Sequence, residues 1–171
     1  MTDNALPELY DRDFERCIVG AVLINPDVID EVIATHLEPY DFYFQDLRAA
    51  YTAITRLWQA KESIHVDTIA AEMGDAVENS IDFLTKIYDA TTEFTSASYF
   101  ADKVKELAVA RKVQDELGKT AKEIYEHPEN LSEILDKYQK TNEAARKRLG
   151  GLKNDPWRAL TPADFYKPIE P

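Results

Sequence analysis

The sequence predicts an all-α fold, a compact helical bundle followed by an antiparallel helical hairpin and a C-terminal linker. Apolar residues recur at helical rather than alternating spacing: Phe14, Cys17, Ile18, Ala21 and Val22 stand at i, i+3, i+4, i+7 and i+8 and share one helix face. Glycine is scarce, with only five, at 20, 74, 118, 150 and 151, and the stretch from Ser96 to Tyr125 contains no proline. Two charged, apolar-striped segments flank a proline turn at His127-Pro128-Glu129, which is the pattern of a helical hairpin.

Taken in order, residues 1–7 read as a disordered arm and residues 8–95 as the bundle. After the helix that starts near Phe14, Asn25-Pro26 supplies a cap and a first helical residue for a segment presenting Val28, Ile29, Val32 and Ile33. Leu37 to Tyr43 is a turn with Pro39, Tyr40, Phe42 and Tyr43. A third helix shows Leu47, Ala50, Tyr51, Ile54, Leu57 and Trp58 on one side. Asp67 is expected to cap a helix with Ile69, Ala70 and Met73, and Ser80 to Tyr88 forms another with Phe83, Leu84 and Ile87 inward. Residues 96–149 form the hairpin. Its second arm is expected to start with Asn130 as cap and Glu133 three residues on. Residues 150–171, holding four of the eight prolines, read as a linker with one short helical turn near Thr161.

The 171 residues, 44% hydrophobic, suffice for one domain with a core. The net charge of −12 opposes nonspecific nucleic-acid binding. The charge is uneven: residues 1–100 carry 19 Asp and Glu against 6 Lys and Arg, residues 101–171 carry 13 against 14. A single cysteine excludes an internal disulfide and fits a reducing cytosol. There is no secretory signal and no membrane-length apolar run, so the expectation is a cytoplasmic chain with no membrane partner.

No catalytic or metal site emerges. Gly118-Lys119-Thr120 matches the end of a phosphate-binding loop, but Val113 stands where the first glycine is needed and the tripeptide falls inside a predicted helix. The histidines at 36, 65 and 127 lack the spacing of metal ligands, and His65 is read as a satisfied polar group beside the core. Cys17 on an apolar face reads as an inert buried thiol, and Asp11, Asp13 and Glu15 as a solvated acidic face. Tyr40, Phe42, Tyr43, Tyr51 and Trp58 are expected in the core rather than as a base-stacking platform. Arg146-Lys147-Arg148, the only basic run, is a solvated helix end and a weak candidate for nucleic-acid contact.

A series of five segments resembles the N-terminal domain of DnaB-type replicative helicases. They are Phe14 to Pro26 with its Val19-Gly20-Ala21 core, Leu37 to Tyr43 with its Asp41-Phe42-Tyr43 turn, Leu47 to Gln59, Ile64 to Ile69, and Tyr99 to Glu106 with Arg111 beyond. The resemblance covers about residues 8–148. The chain departs from the family pattern at Arg16-Cys17, at Glu78-Asn79-Ser80 and at Thr91 to Thr95. It implies a non-catalytic domain for oligomerisation and for docking a primase or helicase loader. Hairpins of two subunits would pair, and three pairs would form a hexameric collar. Self-association would use Val113, Leu117, Ala121, Ile124, Leu131, Ile134, Leu135 and Tyr138, a stripe the two arms cannot cover alone. Phe83, Gln114 and Thr120 are the expected primase or loader surface. DNA would be contacted only indirectly, no cofactor is expected in this chain, and ATP and Mg would belong to an ATPase domain that the linker leads toward. The alternatives are the helicase-binding domain of a primase, similar in architecture, and a stand-alone phage-type inhibitor or loader of a helicase.

Overall fold

The computed structural model describes residues 8–91 and 96–150, and the expected N-terminal arm and the linker beyond Gly150 lie outside them. Seven α-helices follow one another, with no strand among the described residues. α1 (Arg12–Ile24) begins at Asp11, whose carboxylate accepts the N–H groups of Asp13 (2.9 Å) and Phe14 (3.1 Å). It buries Ile18, Val19, Gly20, Ala21, Val22 and Leu23, more than one stripe, because α3, α5 and α6 all pack on it. Asn25 closes α1 and caps a 3-10 turn, Pro26–Val28, that leads into α2 (Ile29–Ala34).

A second 3-10 turn, Pro39–Asp41, precedes α3 (Gln45–Ala60), which stops at Lys61 in the left-handed region at φ 57°. α4 (Val66–Met73) starts two residues earlier than Asp67 as its cap would have it. His65 is the cap residue, its N–H donates to Thr68 Oγ1 (2.9 Å), and Asp67 sits in the first turn, where a carboxylate suits the helix dipole. His65 is therefore an exposed terminus and not a polar group beside the core. α5 (Ser80–Ala90) buries Leu84 and Ile87 and half-buries Phe83.

α6 (Ala97–Glu126) is continuous over 30 residues, about 45 Å. Its first half belongs to the bundle: Ala97, Ala101 and Val104 join the same core as Phe42, Tyr51 and Ile54, so the core runs past the boundary drawn at residue 95. Lys105 on this half is buried and donates from Nζ to the Thr35 carbonyl (2.7 Å), tying α6 to the end of α2. The second half projects, turns at Pro128–Asn130, and is accompanied back by α7 (Leu131–Leu149). Asn130 makes no side-chain capping bond, contrary to the capping box expected with Glu133. Ile134 is buried between the arms, and Lys137 pairs with Glu123 across them (2.7 Å). No helix among the described residues is long and apolar enough to cross a membrane.

Candidate protein-interaction site

Two regions stand out, the projecting hairpin and the polar junction at its base. On α6, Val113, Thr120 and Ile124 are half-buried, while Leu117 and Ala121 are exposed. On α7, Tyr138 is half-buried and Leu131 and Leu135 are exposed. Leu117, Leu131 and Leu135 keep 44–49% of their surface. Each helical residue advances about 100° around the axis, and in an antiparallel pair the residue following an inward one points to the same side in both arms. Leu117 follows Glu116, Ala121 follows Thr120, and Leu135 follows Ile134, so all three lie on one side of the hairpin. Of the eight residues expected to associate, Ile134 is the exception. The arms bury it themselves.

The residues expected to meet a primase or loader are on different elements. Phe83 packs against the core from α5, Gln114 is exposed on the projecting half of α6, and Thr120 is half-buried there. The basic run at the end of α7 is only partly free. Arg146 and Lys147 are exposed, and Arg148 pairs with Asp41 (2.6 Å) and Glu38 (3.2 Å). Gly118-Lys119-Thr120 lies within α6, with Lys119 held by Asp115 (2.6 Å) and Glu116 (3.0 Å).

The junction was not visible in the pattern of the sequence. Glu15, read as part of a solvated face, is buried, and its carboxylate accepts the N–H groups of Tyr43 (2.7 Å) and Phe44 (3.2 Å). Burial raises its pKa, while these two bonds and the Arg111 and Arg48 guanidiniums oppose that rise. Arg111 donates to the carbonyls of Leu9 (2.6 Å) and Asp41 and lies over the Tyr43 ring, which stacks on Tyr10 (4.3 Å). The segment before α1, the 39–44 turn and α6 thus share one arginine. Asp41, 2% exposed in its side chain, joins the end of α7 through Arg148. Removing Arg148 leaves the buried Asp41 carboxylate with the Glu38 N–H (2.8 Å) but no cation. Arg148→Ala should cost about 1–3 kcal/mol in urea unfolding and speed amide exchange in residues 142–149. Unchanged exchange there would show that the end of α7 is held by other contacts.

The expected aromatic core is half realised. Phe42 and Tyr51 are buried and stacked (4.7 Å), and half-buried Trp58 donates to Asp30 (2.8 Å). Tyr40 and Tyr43 are exposed. Cys17 is half-buried, not buried, and desolvation raises its thiol pKa, which keeps it a poor nucleophile. Among the described residues no group of three or more His, Cys, Asp and Glu is placed to hold a metal ion.

The described residues form a helical bundle carrying a helical hairpin, with Leu117, Ala121 and Leu135 exposed on one side of it. The chain belongs to the DnaB-like helicase N terminal domain family, whose model matches residues 7–106. It is similar to the replicative DNA helicase DnaC of Bacillus subtilis (24% identical over 146 residues) and to the replicative DNA helicase DnaB of Geobacillus stearothermophilus (24% over 147). Each match takes in 82% of this chain and 32% of the relative, so the chain spans about a third of their length. The fold matches the crystal structure of the N-terminal domain of DnaB helicase from Mycobacterium tuberculosis with a TM-score of 0.72 at 23% identity, covering 80% of this chain and 99% of that one.

Proposed function

We propose that this chain is the oligomerisation and partner-docking domain of a replicative DNA helicase, working through its hairpin and carrying out no chemistry itself. The observation that carries this is the exposed Leu117, Ala121, Leu131 and Leu135 surface on a projecting hairpin of a strongly charged chain. A solvated hairpin gains nothing from three half-exposed leucines on one side. Covered by a second hairpin, they contribute roughly 25 cal/mol per Å² of apolar area. Membership of the DnaB-like family, and relatives named as replicative helicases, support the same reading. Pairs of hairpins would assemble further into a collar, and a primase or loader would dock near Phe83, Gln114 and Thr120.

Leu117→Asp and Leu135→Asp test it. Neither side chain is in the bundle core, so helicity and the thermal midpoint should stay close to those of the parent chain. Self-association should weaken by at least about 10-fold, since a carboxylate buried without a partner costs more than about 1.4 kcal/mol. Light scattering after size exclusion reads this directly. Full association of both variants would refute the hairpin as the contact surface.

A further inference from the structure

The end of α7 is attached to the bundle by charge and not by apolar burial. Ile134, near the start of α7, is the only buried residue of that helix, and it lies outside the bundle core. The last turn, Arg146 to Leu149, buries nothing, and α7 packs chiefly against α6. What joins that turn to the bundle is Arg148, whose Nη2 donates to Asp41 Oδ2 (2.6 Å) and Glu38 Oε2 (3.2 Å). The two sides of this contact are unlike. The Arg148 side chain is 31% exposed at the end of a long stem, whereas that of Asp41 is 2% exposed.

Asp41 is also fixed in place, because the turn that carries it is gripped at one polar group after another. Glu15 accepts the N–H groups of Tyr43 and Phe44. Arg48 donates to the Phe42 carbonyl from Nε (3.0 Å) and Nη2 (2.6 Å), and Arg111 donates to the Asp41 carbonyl. The Asp41 carboxylate itself accepts the Glu38 N–H (2.8 Å). A fixed, buried acceptor and one solvent-open donor make a latch. We infer that the Arg148–Asp41 pair has two positions. Closed, it orders the last turn of α7 against the turn of residues 38–44. Open, Arg148 is in water and the last turn frays, while the bundle and the rest of the hairpin stay folded. Opening breaks no core contact, since α6 alone runs unbroken from bundle to hairpin and no residue of α7 is in the core. It does leave the Asp41 carboxylate buried without its cation, so the closed position is the resting one. Closed, the latch fixes where the chain leaves α7 at Gly150; open, it leaves that point unset. The latch belongs to the single chain and does not depend on hairpin pairing.

The test is native-state hydrogen exchange of the full chain at neutral pH, in urea well below the unfolding transition. In the parent, the amides of residues 146–149 should exchange with little dependence on urea, because opening exposes little surface, while those of α1 and α3 follow global unfolding. Asp41→Asn keeps an acceptor for the Glu38 N–H and removes the charge that holds Arg148. It should speed exchange at 146–149 at least about 10-fold. Adding Arg148→Ala should speed it no further, since both changes remove one contact. Lys147→Ala, at an exposed neighbour, should leave the rate unchanged. A second measurement reads the position itself. Gly150→Cys, where a Cβ meets nothing closer than 3.4 Å, carries a nitroxide in a Cys17→Ser background. The label should broaden the amide signals of residues 38–44, and Asp41→Asn should restore them. If exchange at 146–149 has the urea dependence of α1 and α3, or if Asp41→Asn changes neither the rate nor the broadening, the latch is overturned.

Discussion

Glu15→Ala is expected to be the most damaging single truncation outside the apolar core. It leaves the part-buried Tyr43 and Phe44 N–H groups without their acceptor and removes a carboxylate whose charge acts on Arg111 and Arg48. Losing one member of such a buried charged group costs about 3–5 kcal/mol. For a chain of this size that lowers the thermal midpoint by roughly 10 °C. Glu15→Gln keeps one acceptor oxygen and should lose about half as much, because the charge goes while one N–H remains bonded. Thermal melts followed by circular dichroism give both values. A loss under about 1 kcal/mol for Glu15→Ala would mean that water replaces the carboxylate and that the junction does not depend on it.

Gly20→Val comes second, and its reason is steric. A Cβ at residue 20 would stand 2.1 Å from Thr91 Oγ1, 3.0 Å from its Cβ and 3.1 Å from its Cγ2. Rotating Thr91 clears the outer atoms but not the Cβ, and it breaks the bond from Thr91 Oγ1 to the Ile87 carbonyl (2.7 Å) that finishes α5. Alanine in place of a helical glycine gains about 1 kcal/mol of propensity, which offsets part of its clash. Valine adds two methyl groups and gains less. The expected net loss for Gly20→Val is about 3 kcal/mol by urea unfolding. Thr91→Gly combined with it should recover part of the loss, since it removes all three clashing atoms. Additive losses in the double variant would place the strain elsewhere.

What the sequence revealed and what it hid separate along physical lines. Helix faces were legible, since an apolar stripe such as Ile18, Ala21 and Val22 is a local signal with the period of the helix. The hairpin was legible for the same reason, helped by Pro128. The exposed side carrying Leu117 and Leu135 could be expected once the arms were known to pair. The junction at the base was not. Glu15 meets residues 28 and 29 positions away, Arg111 a residue 102 away, and Arg148 a residue 107 away. A charged residue in a polar stretch reads as solvated, and no periodicity reports the fold bringing its partner to it. Ile134 was misjudged in the other direction. It lies on the right stripe, but at the position the arms close over. Capping chemistry was legible to within two residues at Asp67 and misleading at Asn130, because the 3-10 turn Pro128–Asn130 enters α7 without needing a side-chain cap.

The central claim is that the outer side of the hairpin is where this chain meets another copy of itself. The most direct measurement is its molar mass in solution, by light scattering after size exclusion, across a wide range of concentration and salt. A dimer or a multiple of it that grows with concentration and survives high salt, as apolar contact requires, is the predicted result. A chain that stays monomeric at the highest attainable concentration would contradict it.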